Sequence, residues 1–180
     1  IALEEDSART TASGGVDDSR AGAPLLEITT TAAIRGPEQT EAVLRSLHHT
    51  LVAAGATEGR LEEGQLRADV NVSVRRPGGA GTARVEIKNL GSFRDAARAV
   101  QVEAARQREL LAEGVREEPH TRAFRGDATV RTRRKETPLD YGFLPEPDLP
   151  SVVVDPALLD EARRLLTAVP LDRWLLQHAR

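Results

Sequence analysis

The chain has 180 residues, 39% of them hydrophobic and 29% charged, which suits one compact core or a piece of a larger protein and argues against two full domains. No apolar run approaches the roughly 18 residues that a membrane-spanning helix requires, so no membrane association is expected. With no cysteine, a disulfide scaffold, a thiolate metal site and a cysteine nucleophile are all excluded.

Two further features of the composition shape the reading. There is no methionine, so Ile1 is not expected to be a natural start and the chain reads as a fragment. Aromatic residues make up only 3%, so the core must be built from Leu, Val and Ala. The net charge of −3 argues against a general nucleic-acid binder, but its distribution is uneven. Residues 1 to 68 carry 6 basic and 11 acidic groups, residues 84 to 135 carry 13 and 8, and residues 136 to 180 carry 4 and 8. Arg122, Arg125, Arg131, Arg133, Arg134 and Lys135 lie close together in the basic centre. They read either as a phosphate-holding patch or as a solvated loop.

In chain order, Leu3-Glu4-Glu5-Asp6 is a short acidic run, and Thr10 to Arg20 has no periodicity and reads as a surface loop. Ala23 to Thr30 is β-favouring and bounded by turn residues, which predicts a strand. Gly36-Pro37 opens a helix whose Val43, Leu47 and Leu51 recur every four residues until Gly55 supplies a left-handed stop. His48 and His49 on this helix are adjacent positions that do not face each other, which argues against a metal pair.

The stretch from Leu66 to Asn89 says most. Val70, Val72 and Val74 alternate with Asp69, Asn71 and Ser73, and after the glycine-rich turn Val85 and Ile87 alternate with Arg84, Glu86 and Lys88. This predicts an antiparallel hairpin with Pro77 to Ala80 as its loop. Buried residues must meet buried residues, so Val70 should face Ile87 and Val72 should face Val85. Asp69 then lies across from Lys88, one of only two lysines, and Asn71 across from Glu86. Asp69 and Glu86 become diagonal neighbours at about 7 Å between backbones. Two carboxylates, an amide and an ammonium on one face suit Mg²⁺ and nucleotide phosphates. On spacing alone, an exposed Asp69–Lys88 salt bridge is the simpler reading.

Beyond the hairpin, Ser92 and Asp95 form a capping pair for a second helix that ends at Gly114, with Phe93, Ala96, Ala97, Val100, Ala104 and Leu111 on its inner face and Arg94, Arg98, Arg106 and Arg108 outside. Pro145-Glu146-Pro147-Asp148 holds a carboxylate between two prolines of fixed φ. Asp155-Pro156 starts a third helix expected to bury Leu158, Leu159, Ala162, Leu165 and Leu166, and a short helix is expected around Trp174.

Three of these stretches, Leu66-Arg67-Ala68-Asp69-Val70-Asn71-Val72-Ser73-Val74, Arg84-Val85-Glu86-Ile87-Lys88-Asn89-Leu90 with Ser92-Phe93-Arg94, and Asp140-Tyr141-Gly142-Phe143-Leu144-Pro145-Glu146-Pro147-Asp148, resemble the B subunit of aspartyl/glutamyl-tRNA amidotransferase, GatB. Leu3-Glu4-Glu5-Asp6 and Arg20 to Ile28 also match, so the resemblance covers nearly the whole chain. It implies an α+β fold, an antiparallel sheet with packed helices, forming part of a cradle that resembles glutamine synthetase. Residues 1–154 would belong to this catalytic cradle, and residues 155–180 would lead to a helical tRNA-binding tail beyond Arg180.

The activity implied is ATP-dependent phosphorylation of the glutamyl or aspartyl carboxylate on misacylated tRNA, followed by amidation with ammonia from a GatA-like amidase, in a complex braced by a GatC-like small subunit. By the same resemblance, Glu5, Glu86, Asp69 and Glu146 would hold Mg²⁺, and Lys88, Asn71, Tyr141 and Arg122 would bind ATP. Asp69, Glu86 and Lys88 would carry the chemistry. Where the family has His, Arg and Glu, this chain has Ala2, Gly142 and His120, and Arg9 replaces a lysine. The family's opening Gly-Leu-Glu-x-His strand would lie before Ile1, so the fragment alone is not expected to be active. The competing reading is a truncated or decayed homologue that only binds tRNA or partner subunits. Glu63 to Asp69 is similar to mitochondrial versions, which favours the mitochondrial matrix, with bacterial cytoplasm as the alternative.

Overall fold

In the computed structural model, residues 1–11, 13–79, 81–134, 150 and 152–168 are described. The chain forms two compact units, one of Ile1–Ala33 with Pro138–Asp155 and one of Ile34–Thr137 with Pro156–Arg180.

In the first unit, β1 (Ala2–Glu5) pairs antiparallel with β4 (Pro24–Glu27), so that Ala2 meets Glu27 and Glu5 meets Pro24. The strand expected over residues 23–30 is therefore present in its first half. Asp6 continues the pairing by donating its N–H to the Ala23 carbonyl at 2.8 Å, and its side chain accepts from Arg20 Nε at 2.8 Å. The segment read as an unstructured loop contains a small ribbon instead. In it, β2 (Arg9–Thr10) pairs with β3 (Val16–Asp17). The reason is local side-chain bonding: the Thr11 hydroxyl accepts from Gly15 N at 3.0 Å, and Gly14 takes the left-handed conformation (φ +82) that closes the turn.

The second unit is built on a four-stranded sheet in the order β5-β6-β7-β8, made of β5 (Val70–Val72), β6 (Val85–Lys88), β7 (His120–Arg125) and β8 (Ala128–Arg134). The hairpin register is the one that burial requires: Val70 faces Ile87, Asn71 faces Glu86 and Val72 faces Val85. Toward its tip the register slips by one, because Thr82 bonds to Val74 through both its backbone N–H (2.8 Å to O) and its hydroxyl (2.9 Å from N).

The sheet is mixed rather than antiparallel. β6 and β7 run parallel, with Val85 beside His120 and Glu86 beside Thr121, whereas β5–β6 and β7–β8 are antiparallel. The cause is the helix between β6 and β7: α2 (Phe93–Glu113) returns the chain to the starting edge of β6, as any parallel neighbour requires. The basic centre, read as a patch or solvated loop, is thus largely two paired strands.

α2 begins and ends as its caps dictate. Ser92 Oγ accepts from Asp95 N at 3.0 Å, and Gly114 is left-handed with its N–H on the Leu110 carbonyl. The turn into it leaves β6 through Asn89, the only non-glycine residue with positive φ (63) among the described residues. α1 (Pro37–Ala53) packs along α2, with Pro37 in its first turn and a left-handed Gly55 (φ +69) just past its end. His48 binds the Gly59 carbonyl at 2.8 Å, and a Cβ at Gly59 would lie 2.4 Å from His48 Nε2, so only glycine fits there. α3 (Pro156–Ala168) starts where predicted, but Leu158, Leu159 and Ala162 are exposed rather than buried. The residues around Trp174 lie outside the described ones.

The core contains Val72, Val85, Ile87, Ala99 and Phe124, with Val70, Leu90, Val100, Val102 and Ala104 around it. Its unexpected member is polar. The buried line of α2 runs through Ala96, Ala99, Glu103 and Gln107, one turn apart, and Glu103 and Gln107 are almost fully enclosed. The predicted inner-face residues Val100, Ala104 and Leu111 are only half-buried.

The Glu103 carboxylate accepts two bonds from Arg106 (2.7 and 3.0 Å), one from Gln107 Nε2 (2.8 Å) and one from the Thr129 hydroxyl (2.7 Å), with Arg122 Nε at 3.4 Å. Arg106 also reaches Glu117 at 2.7 Å, and Gln107 donates to the Val72 carbonyl at 3.2 Å. His120, fully buried, donates from Nδ1 to the Glu118 carbonyl at 2.8 Å. No buried side-chain polar atom among the described residues lacks a partner.

Burial alone would raise the Glu103 carboxyl, but the bonds from Arg106, Gln107 and Thr129 and the Arg106 charge outweigh it and hold it below its ordinary value of 4.5. Glu117 is likewise held low, chiefly by its bond to Arg106. Burial is the main cause that lowers Arg122, and the bond to Glu103 raises Arg106.

A carboxyl lowered by folding contributes stability that is complete above its unfolded value and is lost as pH falls through the folded one. The thermal midpoint should therefore drop as pH falls below about 4.5, and this drop should shrink in Glu103→Gln. Glu103→Ala should cost about 3–5 kcal/mol, since it removes the one carboxylate that two part-buried guanidinium groups and the buried Gln107 and Thr129 side chains share. Denaturant and thermal melts across the acid range check both outcomes.

Candidate functional site

The sheet divides its residues between two faces. Val70, Val72, Val85, Ile87, Arg122 and Phe124 lie on the α2 side, and Asn71, Glu86, Lys88 and Thr121 alternate onto the opposite face. On that second face, Asn71 stands directly across from Glu86, and Glu86 stands beside Thr121. Lys88 Nζ donates to Asp69 Oδ2 at 2.8 Å, in an ion pair whose side chains are 38% and 44% exposed. Such a pair contributes no more than about 1 kcal/mol, so the fold does not depend on it. Glu86 is half-buried, and its Oε2 accepts from the Thr121 hydroxyl at 3.2 Å.

The hairpin thus brings together Asp69, Asn71, Glu86 and Lys88, the four residues that the register argument placed on one face. Arg122 is not among them. It lies on the α2 side, bonded to the Thr129 hydroxyl (2.9 Å) and carbonyl (2.6 Å) and next to Glu103. Neighbouring residues on a strand point to opposite faces, so Arg122 and Thr121 cannot both reach Glu86. Glu5 is half-buried at the end of β1 in the first unit, opposite Pro24. Ala2, where the resemblance implies a histidine, pairs with Glu27. Tyr141, Gly142 and Glu146 lie outside the described residues.

Thr121 was not anticipated. Its signal depended on recognising β7, which carries none of the strict apolar alternation that revealed the hairpin. A groove of about 450 Å³ between α1 and the start of α2, lined by Arg45, His48, His49 and Phe93 among others, holds none of the predicted site residues.

The oxygens of Asp69, Asn71 and Glu86 are of the kind that Mg²⁺ prefers, and an ammonium beside them can pair with phosphate. Among the described residues, however, no three Asp, Glu or His side chains are grouped so as to hold a metal ion. The face therefore provides partial ligation at most, of the sort completed by phosphate oxygens and water.

A mixed sheet backed by helices, with carboxylate, carboxamide and ammonium side by side on the other face, defines an α+β unit. Residues 1–160 match the family model of the GatB/GatE catalytic domain, and the chain belongs to that family.

It is 43% identical over 182 residues to the B subunit of the aspartyl/glutamyl-tRNA(Asn/Gln) amidotransferase of Anaeromyxobacter sp. (strain Fw109-5), with 96% of this chain and 38% of the relative covered. It is 40% identical to the protein of the same name from a strain of Thermus thermophilus, covering 95% of this chain and 38% of that one. It is also 46% identical over 158 residues to the B-2 subunit of the glutamyl-tRNA(Gln) amidotransferase, chloroplastic/mitochondrial, of Micromonas commoda, covering 86% of this chain and 29% of the relative. The chain thus spans well under half the length of these relatives. Among the described residues, no helix is long and apolar enough to cross a membrane.

If the Asp69–Lys88 pair serves ligands rather than the fold, Asp69→Asn and Lys88→Met should each change unfolding free energy by less than about 1 kcal/mol. Denaturant titration of the variants checks this.

Proposed function

We propose that the parent protein is the B subunit of a tRNA-dependent amidotransferase and that the Asp69–Asn71–Glu86–Lys88 face is part of its reaction site. The observation that carries this reading is the hairpin register, which sets these four polar groups side by side on the sheet face opposite α2, within a chain of the GatB/GatE family. In the reaction, the γ-phosphoryl group of ATP passes to the side-chain carboxylate of glutamate or aspartate on misacylated tRNA, and ADP leaves. Ammonia from a GatA-like amidase then forms the new C–N bond, expels inorganic phosphate and gives up a proton. A small GatC-like partner holds the assembly together.

Lys88 exchanges its Asp69 contact for phosphate, a switch that costs little because the pair is exposed. Asn71 orients the same group by hydrogen bonding. Asp69 and Glu86 would offer oxygen ligands to Mg²⁺, and by the family resemblance Glu5 and Glu146 would add carboxylates and Tyr141 would bind the nucleotide. A bound Mg²⁺ would draw charge from the transferring phosphate. The protein's own contribution is chiefly positioning and electrostatic complementarity.

The relative labelled chloroplastic/mitochondrial supports placing the parent in the mitochondrial matrix, and the bacterial relatives support bacterial cytoplasm as the alternative. Ala2, facing Glu27 without an imidazole, favours the second reading of a scaffold that has lost its chemistry.

The test uses the full-length parent protein reconstituted with its amidase and small partner. Glu86→Gln should lower ATP-dependent formation of Gln-tRNA by about a hundredfold or more while complex assembly is retained. Equal rates for the two proteins remove Glu86 from the mechanism, and an inactive wild-type complex selects the scaffold reading.

A further inference from the structure

We propose that Thr121 is the positioning residue for Glu86, holding its carboxylate in the orientation the reaction uses. This rests on the reading of Glu86 as a reaction-site carboxylate. Thr121 is only 3% exposed, lies beside Glu86 in the parallel β6–β7 register, and donates its hydroxyl to Glu86 Oε2 at 3.2 Å. At a buried strand position a valine fills the same space without a hydroxyl to satisfy, so packing alone does not call for threonine.

The backbone around Thr121 is secured from both directions. The pairing of β7 with β8 shifts between Thr121 and Arg122, leaving Thr132 as the extra residue of a β-bulge. The Thr132 hydroxyl donates to the Thr121 carbonyl at 3.1 Å, tying the bulge to this strand position. Bulges of this kind re-aim side chains. On the other face, Arg122 is clamped to Thr129 by two bonds and lies 3.4 Å from Glu103. The threonine hydroxyl therefore approaches Glu86 from a strand that the buried Glu103 network holds in place. Losing the hydroxyl leaves that network intact and removes one of the bonds that orient the Glu86 carboxylate.

The test compares Thr121→Val, Thr121→Ser, Glu86→Gln and the Glu86→Gln/Thr121→Val double variant in the reconstituted full-length complex, reading kcat and KM for misacylated tRNA together with thermal midpoints. Thr121→Val should lower kcat about ten- to hundredfold, the range expected for loss of a hydrogen bond to a charged group, and leave KM within about twofold. Thr121→Ser should restore most of the rate, the double variant should be no slower than Glu86→Gln alone, and the midpoint of Thr121→Val should match the wild type. If the valine variant does not assemble, Thr121→Ala must show the same split between kcat and KM.

A fully active Thr121→Val beside an inactive Glu86→Gln overturns the positioning role and leaves the reaction site standing. Equal losses in the valine and serine variants, with lowered midpoints, show a packing role and also overturn it. A fully active Glu86→Gln defeats the reading of Glu86 itself and the positioning role with it.

Discussion

The second unit is organised around a carboxylate with no access to water. Glu103 would be costly to bury alone, and each of its neighbours offsets part of that cost: Arg106 and Gln107 from one turn along α2, Thr129 from β8 and Arg122 from β7. The apolar cluster supplies little large surface, since of the aromatic residues only Phe124 is buried among the described ones. Directional polar contacts therefore take on the task of specifying how α2 lies across the sheet. Gln107 extends the same network to the Val72 carbonyl and the Thr82 hydroxyl, so helix, hairpin and outer strands share one set of partners.

That arrangement gives the sheet one closed face and one open face. The face toward α2 is closed, and its buried side-chain polar atoms among the described residues all have partners, whereas the face carrying Asp69, Asn71, Glu86 and Lys88 keeps charged groups within reach of solvent. β7 serves both faces. Arg122 enters the buried network, and its neighbour Thr121 reaches Glu86, because successive strand residues point in opposite directions. A disturbance at Glu103 would reach the open face through the backbone of β7, with no side chain crossing the sheet.

The departures from the GatB pattern take on physical meaning in this setting. His120, where the resemblance implies an acidic residue, is enclosed beside Arg122 and bonded to the Glu118 carbonyl, so its surroundings are those of a structural residue. Ala2 sits across from Glu27 on the β1–β4 ribbon, where an imidazole would stand next to a carboxylate. The first departure falls on the supporting side of the sheet, and the second falls in the unit that also carries Glu5.

Local sequence pattern by itself determined the hairpin pairing, the Ser92 and Gly114 caps of α2 and the start of α3, since each depends on neighbours a few residues apart or on matching two short alternating runs. The four-residue constellation on the hairpin followed from the same parity argument. Only the tertiary structure decided that β7 lies parallel to β6, that Arg122 turns away from the site and that Thr121 turns toward it. Glu103 and Gln107 showed the same limit: apolar periodicity singles out only the hydrophobic members of that helix face, and these two polar residues are buried there because Arg106 and, from more than twenty residues away, Thr129 and the Val72 carbonyl satisfy them. A polar side chain's place inside or outside depends on which distant groups meet it, and that meeting is settled by the packing of whole elements rather than by the local run of residues.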